Sequence, residues 1–334
     1  MKVSSYLVLL LTLLLSSCRS KPAPIVAFYY WKTNFNLSLT EKQVLSDNHV
    51  SKLYIRYFDN VLDSKTKQAI PESPILFEQS VGKLIIVPVV YIKNEIFLQK
   101  EADILDLVKK LLHYIDQINK QSGIVNREIQ VDCDWTMKSR DRYLKFVRLL
   151  KQESKKDISA TIRLHQVKYA AQTKVPEVNY GVLMYYNMGK LAVDENNSIY
   201  NSKVAKKYLG QLNYYPLSLR VALPIFSWGI HIRNNKIINV IGKLRIQSFS
   251  NDTCFVKRGN WIETKTAKLK SGYYFKAGDE IKFEKVSEME LTEMAKDLGE
   301  KLKNPPAEVI FYDLDSLNIR MYEKDIFKKV THSF

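Results

Sequence analysis

Three cysteines, five histidines and no apolar run longer than ten residues set the first limits on this 334-residue chain. Cys133 and Cys254 are too far apart in sequence for a metal or redox spacing, and Cys133 falls on an apolar strand face, where it packs. Two neighbouring aspartates and a remote histidine are a poor ligand set, so the sequence calls for no metal and no cofactor. The one apolar run, Tyr6–Leu15, is about half the ~20 residues that a membrane-spanning helix needs. No Gly-rich loop follows the first strand-like segment, which argues against a doubly wound nucleotide-binding sheet. Internal repeats and low-complexity runs are missing too. Acids are scarce beside bases, 35 against 51, giving a formal charge of +16. Such a surface suits anionic partners, the alternative being simple solvation.

The N-terminus is a short positive start (Met1-Lys2), then the apolar run, then Leu15-Ser16-Ser17-Cys18. This order fits a secretory signal and resembles the lipobox of bacterial lipoproteins, an aliphatic residue and two small ones before a cysteine. The resemblance implies cleavage of residues 1–17, diacylglycerol on Cys18, and a chain held on a membrane in the bacterial cell envelope. Residues 18–24 then read as a short extended tether. Without residues 1–17 the charge is +15, Lys2 being the only charge removed. Nucleic acid is not an expected partner of an exported chain, and a monomer is expected.

From residue 25 onward, strand-like and helix-like patterns alternate. Strands are expected at 25–31, 52–59, 84–92, 128–136, 158–165, 181–187, 219–226 and 308–315. Helices are expected at 40–48, 101–121, 139–153, 203–212 and 288–302, with a vague pattern at 166–178. Eight such units over residues 25–334 predict a (β/α)8 TIM barrel. Residues 231–285 break the rhythm with short strand-like pieces and Gly-Asn and Gly-Asp turns, which predicts a β-rich insertion between strand seven and helix seven. It holds 12 of the Lys and Arg residues and 5 of the Asp and Glu.

The fourth strand organises the rest. Ile129, Val131, Cys133 and Trp135 alternate with Gln130, Asp132, Asp134 and Thr136. Two carboxylates on one face, roughly 7 Å apart at ~3.3 Å rise per residue, require either a polar pocket or arginine partners. In such barrels the chemistry lies at the carboxyl ends of the strands. Reading each strand by alternation brings Arg56 and Asp59, Thr161, Arg163 and His165, Met184 and Tyr186, and Phe311, Asp313 and Asp315 to that mouth, with Asn187 just beyond. Tyr30, Trp31, Tyr91, Tyr185, Phe226 and Trp228 form an expected aromatic rim. Carboxylates, arginines and aromatic rings together describe a carbohydrate cleft, because sugars offer C–H faces to rings and hydroxyls to planar polar groups. Arg56 and Arg163 can equally be charge partners of the aspartates, His165 a hydrogen-bonded core residue, and Trp31 and Trp228 ordinary rim packing.

Asp132-Cys133-Asp134-Trp135 resembles the later part of the D-G-x-D-x-D-W-E motif on strand four of family 18 glycoside hydrolases, the chitinase-like barrels. Met184-Tyr185-Tyr186-Asn187 is similar to the M-x-Y-D on strand six of that family, which also commonly carries an insertion after strand seven. The resemblance implies a glycan ligand and gives Asp134 the role of orienting the substrate's N-acetyl group. The chain departs from the motif at its catalytic acid, where Thr136 stands and cannot donate a proton near neutral pH. Ile129 and Gln130 replace its first Asp and Gly, and Asn187 the strand-six Asp.

Three functions follow. The first is a non-hydrolytic glycan-binding barrel, with the basic insertion suited to an anionic glycan. The second is a glycosidase-like enzyme using Asp132 or Asp134 against Asp315 or Asp313, with Glu95 a further candidate acid. The third is a scaffold lipoprotein for protein contacts.

Overall fold

A computed structural model describes residues 23–334; the expected signal segment, Cys18 and most of the tether lie outside the described residues. Eight parallel strands close on themselves: β1 (Ile25–Tyr30), β2 (Lys52–Leu62), β3 (Ile85–Ile92), β4 (Glu128–Asp132), β5 (Asp157–Arg163), β6 (Tyr180–Met184), β7 (Leu219–Pro224) and β8 (Glu308–Tyr312). Each pairs with the next, and β8 and β2 both pair with β1, so the sheet is a closed TIM barrel.

The longer helices outside it are α1 (Leu39–Asp47), α2 (Ile104–Ser122), α3 (Arg140–Ser154), α4 (Ser202–Leu209) and α5 (Glu288–Lys301). Their ends are written in the sequence. Ser38 with Glu41 and Ser287 with Glu290 form capping boxes, and Asp103 caps α2. Gly123 ends α2 at φ +65°, a left-handed conformation that glycine adopts without a Cβ penalty. The vague stretch after β5 holds two short helices, Leu164–Lys168 and Ala170–Thr173. α2 buries Ile104, Leu107, Val108, Leu111, Ile115 and Ile118 along one stripe.

β2 carries a bulge. Arg56 pairs with Val89 and Phe58 with Val90, leaving Tyr57 as the extra residue. Tyr57 and Phe58 both pack outward, against Asn119 and Tyr114 of α2. Arg56 and Asp59 therefore share the inner side.

The amino end of the barrel is filled by a polar cluster from five strands. Arg220 Nη1 donates to Glu128 Oε1 at 2.5 Å and to the Tyr54 hydroxyl at 2.7 Å. Tyr54 donates to Glu308 Oε2 at 2.6 Å, Ser159 to Glu128 at 2.7 Å, and Lys52 pairs with Glu308. Arg220 also lies over the Tyr180 ring. One layer up, Gln130 Nε2 donates to the Tyr29 hydroxyl at 2.6 Å.

Between β7 and α5 the chain forms a five-stranded antiparallel sheet in the order Lys236–Gly242, Ser227–Arg233, Glu280–Lys285, Trp261–Thr264, Phe255–Arg258, with a small hairpin of Lys268–Lys270 and Tyr273–Phe275. Its first strand begins at Ser227, ahead of residue 231. Its own apolar cluster includes Ile241, Phe249, Phe255, Ile262, Phe275 and Ile281.

Candidate functional site

β4 delivers Asp132 at its last position and the following loop carries Asp134. Asp132 is partly buried at the mouth and accepts a hydrogen bond from Thr161 Oγ1 of β5 at 2.8 Å. Burial raises its carboxyl, the nearby charge of Asp134 adds to the effect, and the balance against Thr161 and Arg163 leaves it at about 6. Asp134 is exposed and meets Arg163 Nη1 at 3.1 Å, while Arg163 Nη2 donates to the Trp135 carbonyl at 2.7 Å. Tyr91, opposite Asp132 on β3, is pushed up to about 12 by burial and by the negative charges of Asp134 and Asp132.

Beside this wall lies a cavity of about 560 Å³, lined by Asp134, Arg163, His165, Met184, Tyr186 and Asn187, with Tyr208 of α4 at its edge. His165 is exposed, and its pKa is lowered by partial desolvation and by Arg163. Asn187 has φ +54°, so the chain turns away sharply just after Tyr186. Six of the residues expected at the mouth thus line one cavity, and Asp132 and Tyr91 stand next to it.

The floor of the mouth is aromatic, and its centre is Tyr312. Its ring stacks on Tyr186 at 5.7 Å and 22°, and meets Trp31, Tyr29 and Phe226 edge-on at 5.3, 5.6 and 5.7 Å. Trp228 packs on Phe226 and donates its Nε1–H to Glu284 Oε2 of the inserted sheet at 2.9 Å. Glu284 also accepts from Ser198 and pairs with Lys282, whose Nζ donates to the Asn196 carbonyl at 2.5 Å. The inserted sheet and the loop after β6 are tied together at the rim by these contacts.

Several expected residues lie elsewhere, and on β8 the reason is strand parity. On β8 the inward residues are Glu308 and Tyr312, whereas Phe311 packs outward on Phe28 and Phe327. Asp313 is buried and accepts from Asn318 at 2.6 Å, and burial raises it to about 6. Asp315 caps the helix Ser316–Ile319 and lies 2.8 Å from Lys243 and 3.5 Å from Lys32. Burial pushes Asp315 up, but the Lys243 hydrogen bond, the Leu317 N–H and the two lysines outweigh it and hold it below the usual carboxylate range. Arg56 pairs with Asp59 at 2.7 Å and donates to the Ser73 carbonyl, not to the β4 aspartates.

Tyr30 and Tyr185 do not belong to the rim: Tyr30 packs on Phe35 and donates to the Asn34 carbonyl, and Tyr185 packs on Tyr200. Thr136 is exposed in the loop after β4, and Glu95 is exposed at the start of the short helix Glu95–Leu98 after β3. Alternation counted from Glu308 finds Tyr312; Thr161 has no signal beyond its place on β5 beside the aspartates. Among the described residues no group of three or more His, Cys, Asp or Glu is placed to hold a metal ion, and no helix is long and apolar enough to cross a membrane.

No protein-family model matches this chain, and no curated protein sequence does. Solved structures match in fold. The spore cortex-lytic enzyme SleL of Bacillus cereus has a TM-score of 0.57 at 12% identity, covering 94% of this chain and 75% of that one. A chitinase from Chromobacterium violaceum has 0.55 at 8%, covering 93% and 99%. A GH18 chitinase from Cycas revoluta, solved in complex with (GlcNAc)3, has 0.54 at 11%, covering 92% and 99%. At such identities the likeness is one of fold: this chain has the same closed barrel as these chitinase-like structures.

Proposed function

We propose that this chain is an exported, lipid-anchored barrel that binds a glycan across its mouth without cleaving it. One observation carries the reading: a continuous aromatic floor around Tyr312 lies beside a wall of Asp132, Asp134 and Arg163, with a cavity of about 560 Å³ at its side. Rings take the C–H faces of a sugar and the charged wall takes its hydroxyls. The chitinase from Cycas revoluta, of the same fold, is described in complex with (GlcNAc)3, which makes that oligomer the first probe. Hydrolysis by paired carboxylates needs a second one across the sugar. Asp313 and Asp315 are engaged by Asn318 and by Lys243 and Lys32, and Thr136 supplies no acid.

Isothermal titration with chitotriose and a panel of neutral and acidic oligosaccharides tests this. Binding is expected with no release of reducing ends, and Tyr312→Ala should weaken it tenfold or more. Silence across the whole panel sinks the proposal.

A second reading has one observation in its favour. Asp132, held at about 6 beside exposed Asp134, is a carboxyl of the kind that donates protons near neutral pH. Turnover of an aryl glycoside that is lost in Asp132→Asn would establish cleavage in place of binding.

Anchoring rests on the order Leu15-Ser16-Ser17-Cys18. Labelling of cells with a palmitate analogue should mark the chain, and Cys18→Ala should abolish the label and free the protein from the membrane fraction.

A further inference from the structure

A second groove, of about 360 Å³, runs between the inserted sheet and the helix after β8. Its cations are Arg245, Lys285 and Arg320. Arg245 Nη2 donates to the Leu317 carbonyl at 2.6 Å and Arg320 Nη2 to Thr40 Oγ1 at 3.2 Å; none of the three forms an ion pair among the described residues. The only carboxylate at the groove, Glu284, is committed to Lys282, Ser198 and Trp228. Three cations thus share a concave surface with no negative charge left to neutralise them. The half-buried ring of Phe283 and the amides of Gln247 and Asn260 complete the lining. Ring, amides and cations together fit a sugar unit bearing a carboxylate better than a bare anion, which has no use for the ring. The groove also adjoins the mouth, because Ser227 lines it and the next residue, Trp228, packs on Phe226 of the floor.

We infer that this groove is a subsite for an acidic sugar, so that the glycan bound at the mouth is an anionic polysaccharide whose chain continues over the inserted sheet. The inference rests on the glycan reading of the mouth and names its substrate class. Groove size lies within the ordinary range for small-ligand sites, about 300–1,000 Å³, and concave surfaces of one charge sign concentrate oppositely charged ligands.

The test is titration of the full chain with three probes: a galacturonate oligomer, its uncharged methyl ester, and chitotriose. The acid is expected to bind at least tenfold tighter than the ester, and its affinity to fall severalfold as salt rises from about 50 to about 300 mM. Combined Arg245→Glu, Lys285→Glu and Arg320→Glu should remove that preference while leaving chitotriose binding at wild-type strength. Lys285→Glu alone, at an exposed ammonium, keeps the test valid if the triple variant does not fold, and should cost about threefold. Equal binding of acid and ester, an unaltered preference in these variants, or no binding of the acid overturns the inference. Chitotriose binding that persists in those cases leaves the mouth reading standing, whereas Tyr312→Ala should weaken chitotriose and the acid alike, and an unaltered affinity for the acid in that variant would overturn a ligand shared between groove and mouth.

Discussion

Asp132 and Asp134 are two positions apart, yet one is folded into the mouth under Thr161 and the other stands in solvent beside Arg163. The difference has a consequence for stability. Asp132 and Asp313 are each raised to about 6, chiefly by burial, against an unfolded value near 3.9. A carboxyl raised on folding takes up a proton between those two values, so its contribution to stability is greatest below about pH 4 and declines as pH rises through about 6. Asp279 works in the other direction. Burial pushes it up, but Arg233, the Lys276 N–H and His231 hold it at about 2, so its contribution is present above about pH 4 and lost in acid. Asp132→Asn should accordingly raise the melting temperature by a few degrees at pH 7.5, from roughly 2 kcal/mol of relieved burial. The gain should shrink to roughly a third near pH 4.5 and vanish near about pH 3. Melting curves across that range check it, and an equal gain at pH 7.5 and pH 4.5 would refute the cause.

At the scale of elements, the tie between the inserted sheet and the loop after β6 depends on a buried pair. Lys282 Nζ lies 2.8 Å from Glu284 Oε1, and both side chains are almost fully buried. Removing one partner strands the other charge, which costs about 3–5 kcal/mol, while replacing both with apolar residues is close to neutral. Glu284→Ala should therefore destabilise strongly in urea unfolding, and Lys282→Met with Glu284→Leu should recover the part due to the stranded ammonium, while Ser198 and Trp228 still lack their acceptor. Two equally damaging variants would mean that the pair is not the cause.

Much of this element layout is legible in the sequence. All eight strands are marked by apolar runs or alternation, and the helix starts by Ser38, Asp103 and Ser287. Parity is less legible. The bulge at Tyr57 leaves no local signature, and on β8 an alternation that runs through Asp313 and Asp315 excludes Tyr312, whose role depends on rings contributed by β1 and by the chain after β6 and β7. Asp134, Arg163, His165, Tyr186 and Asn187 can be placed because each lies at a strand end or just beyond it. Lys243 and Lys32, which occupy Asp315, come from distant segments, and no spacing announces them.

Across the whole molecule, the barrel is organised from its charged base. Arg220 holds Glu128 and Glu308 on opposite sides of the interior and is itself buried. Arg220→Ala would leave buried Glu128 without a cation and Glu308 with Lys52 alone, and a loss of about 3–5 kcal/mol is expected. Near-UV circular dichroism should show the tyrosine signals of the interior broadened or lost together with the melting transition. A variant as stable as wild type would show that the cluster is solvated enough to spare its arginine.

The same base determines how a long ligand can lie. Because salt links and tyrosines stopper one end of the tube, nothing passes through it, and whatever enters must leave by the way it came. A polymer can then only drape over the open end with both tails in water, so a stretch from the middle of a strand serves as well as a terminus.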